Sequence, residues 1–498
     1  MVLGHKIVSN GMILQRGEDF ILTGTAKEGT EVEVRFAGDV RKCLCMENSW
    51  SVCFEHINTG GPYVLTISCN GETQEVSDIL IGDVYFMSGQ SNMELDIDWV
   101  YHSFKEEIDA FDCDAIRQFK VPTDYDFNAP LEDVADGKWV KAKKDDKRSF
   151  GAIGFFMAKY LHERNGVPIG LIQTAVKGCP IESFLSKENV SLYQSIQLEE
   201  ICFHKDYMNA LIKKELIDWQ ARVDELMQLD QKMEKEPWKR TVIPLLWESE
   251  ENQAGIYTFS KIVKLDTPPT EDAVLKLGLL IEADYTYVNG ILVGQTDYQY
   301  PPRRYLVPKE LLHEGDNEIT VKVVVTNGIC RFWEKSEYTL QIQDRIYDLT
   351  GVWHYRKGPF FREGFFTKTF YEYLPYGVYN AMLAPLMDYK VKALLWYQGE
   401  SNAKNPKKYY EKFRTLVEQF RIQMHNANLP VYYVQIAYYE DPTDIGGIGW
   451  ETIRLEQEKA QTIDNVYMVL SGDVGSATDL HPQNKKAIGE RIAELILK

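Results

Sequence analysis

The chain has 498 residues, 44% apolar and 12% aromatic, a composition that suits packed cores and argues against disorder. Its net charge of −19 would repel a polyanion, so no nucleic-acid partner is expected. No run nears the ~20 apolar residues of a membrane span. Met1–Lys6 lacks the charged and apolar regions of a leader, so no membrane partner and a cytoplasmic location are expected, with export as the alternative.

Length alone suggests about three domains. Residues 1–79 read as a small β domain, because short alternating runs such as Glu31–Phe36 and Tyr63–Ser68 are separated by Gly and Asn turns. From 80 to 236 the texture is α/β. The apolar run Ile79–Met87 leads into Gly89-Gln90-Ser91-Asn92-Met93, a helix follows near 149–164 with Ser149 as its cap, and Asn165-Gly166 stops it before the strand at 168–174. Residues 197–235 show helical spacing of apolar residues. Residues 237–368 return to β texture, with Asn289-Gly290 signalling a type I′ hairpin. From 369 to 498 strands (391–397, 431–437, 466–470) alternate with helices (405–424, 450–463, 484–497). The expected fold is therefore α/β with a parallel sheet, split in sequence by an inserted β domain and preceded by a small one.

Four polar segments each follow a strand, where ligands collect in parallel sheets. Ser91 is the candidate nucleophile, although Ser and Asn there also suit a plain helix cap. His481, in Asp479-Leu480-His481-Pro482, is the candidate base, and Asp479 could accept its Nδ1 proton. An ordinary surface turn would read the same way. The block Trp396–Asn402 offers Gln398 and Asn402 as amide donors to an oxyanion, beside Glu400. Gly178, after the strand at 168–174, offers a backbone N–H to join that of Ser91. Gln90, Glu400 and Arg454 are candidate substrate contacts, and Arg303, Arg304 and Arg454 could meet a carboxylate if they are not structural. No His-Glu-x-x-His spacing occurs, and the eight cysteines are scattered without a Cys-x-x-Cys pair; no metal and no cofactor are expected, and free thiols are favoured over disulfides.

Taken together, Met12–Arg16, Gly82-Asp83-Val84, Gly89–Met93, Tyr379–Met382, Trp396–Ser401 and Asp479–Pro482 give the chain a resemblance to the sialate O-acetylesterase-like SGNH hydrolases. The resemblance implies a three-layer α/β/α domain with a jelly-roll-like insert. It also implies a serine carbohydrate O-acetylesterase that works without metal or cofactor on an acetylated sugar, whether sialic acid or fragments of xylan, mannan or xyloglucan. Ser91 is then the nucleophile and His481 the base; the N–H groups of Ser91 and Gly178, with an amide from the 398–402 block, hold the oxyanion. Two positions depart from the family: its acid commonly stands three residues before the His, where this chain has Thr478, and Lys177-Gly178-Cys179 replaces a Gly-Gly-Thr-like sequence. The competing readings are a glycan-binding protein with a relic esterase domain and a general short-chain esterase.

Overall fold

The computed structural model describes residues 2–233, 237–247, 254–299, 301–325, 330–334, 336–361, 369–440 and 447–498. Its organising element is an 18-residue strand, β1 (Glu72–Gly89). The first half, Glu72–Asp78, is polar except for the buried Val76 and mostly exposed; the antiparallel pairing with Gly60–Cys69 runs on to Ile81. From Ile79 onward every residue is buried, and from Asp83 the strand pairs in parallel on both sides. The expected 79/80 boundary therefore falls inside one strand. Residues such as Val32, Val34 and Phe36 also share one continuous core with the α/β part.

The α/β sheet adds β2 (Cys113–Lys120), β3 (Trp139–Ala142), β4 (Ile169–Gln173), β5 (Ala393–Tyr397), β6 (Val431–Val434) and β7 (Val466–Val469). Their order across the sheet is β3-β2-β4-β1-β5-β6-β7, parallel except for the β3–β2 edge. Neighbours on a strand face opposite ways. Phe86 meets Phe420 of the helix Tyr409–Gln423 at 5.5 Å, whereas Met87 lies against Gly154 of the helix Ala152–Asn165. Helices thus cover both faces. The terminal helix Lys485–Ile496 packs on Ala152–Asn165 so closely that a Cβ at Gly489 would lie 2.6 Å from the Ile153 carbonyl oxygen. The cap of Ala152–Asn165 is Gly151, not Ser149; Ser149 instead bonds back to the Asp146 carbonyl, ending a preceding 3-10 turn. Gly166, at φ +66°, ends the helix as its sequence suggests.

Between 237 and 361 the strands are antiparallel. A six-stranded sheet (including Gly255–Leu265, Gly315–Val325 and Gly351–Phe360) and a four-stranded sheet (Arg303–Val307, Ala273–Gly278, Tyr338–Ile342, Arg345–Asp348) enclose a core of their own around Phe259, Leu275, Val321, Leu340 and Trp353. Asn289 and Gly290 both take positive φ in the hairpin joining Ala283–Val288 to Ile291–Thr296. The expected boundaries at 236/237 and 368/369 adjoin segments 234–236 and 362–368, which lie outside the described residues. The helix Lys205–Lys232 packs on this β region: its buried Asp230 accepts from Arg356 (2.9 Å) and Lys322 (2.6 Å).

Candidate active site

The chain leaves β1 through Gly89, whose φ of +126° only glycine tolerates well; a Cβ there would lie 2.2 Å from the Tyr397 carbonyl oxygen. Gln90 then donates its N–H to that same carbonyl (2.9 Å), and Ser91 opens a one-turn helix, Ser91–Glu94, at the carboxyl edge of the sheet. His481 arrives from the loop after β7. Its Nε2 lies 2.9 Å from Ser91 Oγ, although 390 residues separate the two. Ser91 is 8% and His481 4% exposed, so the pair is buried.

With Nε2 accepting from the serine hydroxyl, the ring proton sits on Nδ1, and Nδ1 has no partner among the described residues. The expected Asp479–Nδ1 contact is not made. Asp479 Oδ1 accepts the backbone N–H of His481 itself (2.9 Å), because a two-residue spacing lets the carboxylate fold onto its own turn. Asp479 Oδ2 accepts from Arg304 of the β region at 2.7 Å. Leaving one buried ring N–H unpaired costs about 1–3 kcal/mol. Trp99, on the helix Ile97–Ala110, meets the imidazole edge-to-face at 5.7 Å and shields it from water.

The electrostatics follow from burial. Desolvation, then the positive charges of Lys485 and Arg304, lower the His481 pKa from 6.5 to about 3, so the imidazole is neutral and free to accept a proton. Lys485 is fully buried, donates to Asn92 Oδ1, and has its own pKa lowered to about 7 by desolvation despite the nearby Asp479 and Glu400. Asn92 Nδ2 in turn donates to Glu400 Oε1 (2.6 Å) and to the Leu480 carbonyl (3.0 Å), so one amide links the nucleophile's turn, the histidine loop and the 398–402 block. Burial raises the Glu400 pKa.

Several expected roles meet a different arrangement. Gln398 Nε2 donates to Asn402 Oδ1 (2.7 Å), Gln90 Oε1 (3.1 Å) and the Cys179 carbonyl (3.3 Å). Asn402 Nδ2 donates to Glu182 (2.9 Å), which Lys412 neutralises. Both amides are thus committed to a closed buried network and are not poised as oxyanion donors, since unpaired polar groups are costly inside a fold. Gln90 and Glu400 are likewise scaffold rather than substrate contacts: Gln90 Oε1 accepts from Gln398 and from the Ser401 N–H (3.2 Å), and both side chains are buried. Arg454 bonds the Ile436 carbonyl, and Arg303 is buried against Asp284 at 2.7 Å. The N–H groups of Ser91 and Gly178 donate to no acceptor among the described residues. Gly178 has φ +75° and lies under the Tyr373 hydroxyl, which would stand 2.0 Å from a Cβ.

Lys485, Asn92 and Trp99 were not singled out from sequence. Lys485 stands in Asn484-Lys485-Lys486 at a helix start, where lysines are ordinarily solvated; the one signal was its position four residues after His481. Among the described residues no cluster of His, Cys, Asp and Glu could hold a metal, the eight cysteines are free thiols, and no helix is long and apolar enough to cross a membrane.

Residues 364–498 match the family described as carbohydrate esterase, sialic acid-specific acetylesterase; the match includes His481 and the 398–402 block but not Ser91 or Gly178. The rat sialate O-acetylesterase is 29% identical over 150 residues, covering 28% of this chain and 28% of the rat protein. The human protein of that name is 26% identical over 176 residues, covering 33% of each chain. The chain therefore spans about a third or less of the length of these curated relatives. A carbohydrate acetylesterase from Xanthomonas citri superposes with a TM-score of 0.61 at 20% identity, over 99% of this chain and 74% of that one, which is a likeness of fold. The likeness to the sialic acid-specific acetylesterases among carbohydrate esterases is thus carried by residues 364–498.

Proposed function

We propose that the protein is a serine carbohydrate O-acetylesterase of SGNH type, in which the β region is a jelly-roll-like insert. The observation that carries the reading is the 2.9 Å contact between Ser91 Oγ and a buried, neutral His481 Nε2 at the carboxyl edge of a parallel sheet. Ser91 Oγ attacks the acetyl carbonyl carbon while His481 Nε2 takes the hydroxyl proton. The tetrahedral oxyanion is held by the N–H groups of Ser91 and Gly178, which have no other acceptor among the described residues. Collapse breaks the bond to the sugar oxygen, which leaves with the proton from His481. Water, deprotonated by the same imidazole, then cleaves the acetyl-serine to acetate.

This is a Ser–His pair rather than a full triad at rest, because Asp479 is turned to Arg304 and to its own loop. The substrate class is an acetylated sugar: a sialic acid, by likeness to the named relatives, or an acetylated xylan, mannan or xyloglucan fragment. Acetate release from a panel of such glycans tests the reading, with Ser91→Ala as control. The wild type is expected to release acetate and to take a fluorophosphonate label that Ser91→Ala abolishes. No label would favour a glycan-binding protein with a relic site. A preference for acyl chains longer than acetyl would favour a general esterase.

A further inference from the structure

We infer that Arg304, supplied by the β insert, is a positioning residue that sets the catalytic loop around His481; the inference rests on the esterase reading above. In the strand Arg303–Val307 successive side chains alternate. Arg303 turns inward onto Asp284 within the insert, and Arg304 turns outward to the α/β part of the chain. There its Nη2 donates to Asp479 Oδ2 at 2.7 Å, across 175 residues of sequence. The pair is largely desolvated, with side-chain exposures of 20% for Arg304 and 7% for Asp479, unlike a surface ion pair.

The same guanidinium reaches the other flank of the loop. With the Gln483 amide oriented to satisfy its neighbours, its oxygen accepts from Arg304 Nη1 (3.0 Å) and Trp99 Nε1 (2.7 Å), and its nitrogen donates to the Trp99 carbonyl (3.0 Å). One planar fork therefore grips the residues two before and two after His481, and through Gln483 it also fixes the indole that packs edge-on against the imidazole. A lysine cannot span both acceptors in this way. The charged groups about the ring are Asp479 on its own loop, Lys485 on the terminal helix and Arg304 on the insert, with Glu400 reached through Asn92. Arg304 touches none of the reacting atoms; it acts through Asp479, Gln483 and Trp99.

The test uses the full chain with Arg304→Gln, Arg304→Lys, Asp479→Asn and the double variant Arg304→Gln/Asp479→Asn, each checked by thermal unfolding. Two rates are read: fluorophosphonate labelling of Ser91 and steady-state acetate release across pH. Arg304→Gln is expected to lower kcat and the labelling rate about 10–100-fold, the size of a small misplacement of a reacting group, with KM nearly unchanged. Its acid limb should move to higher pH, because a positive neighbour of His481 is lost. Arg304→Lys should fall between Arg304→Gln and wild type, and it decides the matter if Arg304→Gln does not fold. The double variant should be little worse than Asp479→Asn alone, since the two residues act as one unit. A raised KM with unchanged kcat would instead make Arg304 a sugar contact and overturn the inference. So would multiplicative losses in the double variant, or wild-type labelling rates in both Arg304 variants. A wild type that labels but releases no acetate refutes the acetylesterase reading alone, and the labelling rates still decide the role of Arg304. A wild type that does neither overturns both.

Discussion

Acidification is the most direct probe of the site. An ordinary imidazole at pH 5 would be protonated about 30 to 1, so an enzyme relying on it as base would lose about 30-fold in kcat/KM between pH 8 and pH 5. His481 is held at about 3 by burial and by the charges of Lys485 and Arg304, so at pH 5 only about 1% of it is protonated and the base is intact. The displacement from 6.5 corresponds to a bias of about 5 kcal/mol toward the neutral ring. The assay is kcat/KM for acetate release from an uncharged acetylated sugar at constant ionic strength between pH 4 and 8, with residual activity after return to pH 7 to separate titration from unfolding. The expected profile is flat down to about pH 4. A limb bending between pH 6 and 7 in both wild type and Lys485→Met, with full recovery on return, would refute the argument that burial keeps this base neutral. The same shift acts on stability with a definite sign. The unfolded chain binds the histidine proton below 6.5 and the folded one only near 3, so this group's contribution to stability is full above pH 6.5 and is lost as pH falls toward 3.

Lys485→Met removes a buried cation beside His481 and should move the acid limb to higher pH; an unmoved limb would show that Lys485 does not act on the ring. Because the Lys485 pKa is depressed to about 7, the folded form binds fewer protons than the unfolded one between pH 7 and 10.5, and wild-type stability should gain about 1.4 kcal/mol per pH unit over that window relative to Lys485→Met in matched urea unfolding. Gly89→Ala places a Cβ 2.2 Å from the Tyr397 carbonyl at φ +126° and should cost more than about 3 kcal/mol, read as a large fall in Tm or as loss of folded protein; a wild-type Tm would contradict the tight β1–β5 junction. Gln398→Ala should lower stability by about 1–3 kcal/mol for each partner left unpaired, together with any fall in activity. A large loss of kcat at unchanged Tm would instead restore Gln398 as an oxyanion donor.

Ser91 and His481 were legible as candidates because their signals are local. A buried apolar run ending in Gly-Gln-Ser sets a serine at the carboxyl edge of a strand, and an Asp-x-His-Pro turn before a helix sets a histidine in a loop. Partners of buried polar groups were not legible. Gln398, Asn402 and Glu400 stand at a strand end as expected, yet which of their atoms stay free depends on Glu182, Asn92 and Gln90, all distant in sequence, and on Lys412, which pairs with Glu182. Asp479 shows the same limit: proximity in sequence suggests the imidazole as its partner, whereas the backbone N–H and Arg304 reach it first. The 79/80 boundary was drawn where residue texture changes, and the texture does change there. What changes there is the burial of a single strand, from mostly exposed to fully buried, a few residues before its pairing passes from antiparallel to parallel.

The arrangement of charge explains why a catalytic loop should depend on a distant β insert. On the proposed mechanism His481 becomes cationic, and its two positive neighbours, Lys485 and Arg304, oppose that while Asp479 is bonded away from Nδ1. The resting site is thus biased toward a neutral ring, which keeps the base available at low pH but makes the imidazolium formed on proton abstraction the costly species. Any movement that loosens Arg304 from Asp479 both weakens a positive field and frees a carboxylate two residues from an unpartnered ring N–H. Those two effects have the same sign. The position of the insert against the α/β sheet is therefore coupled, through one ion pair, to how readily the histidine accepts a proton.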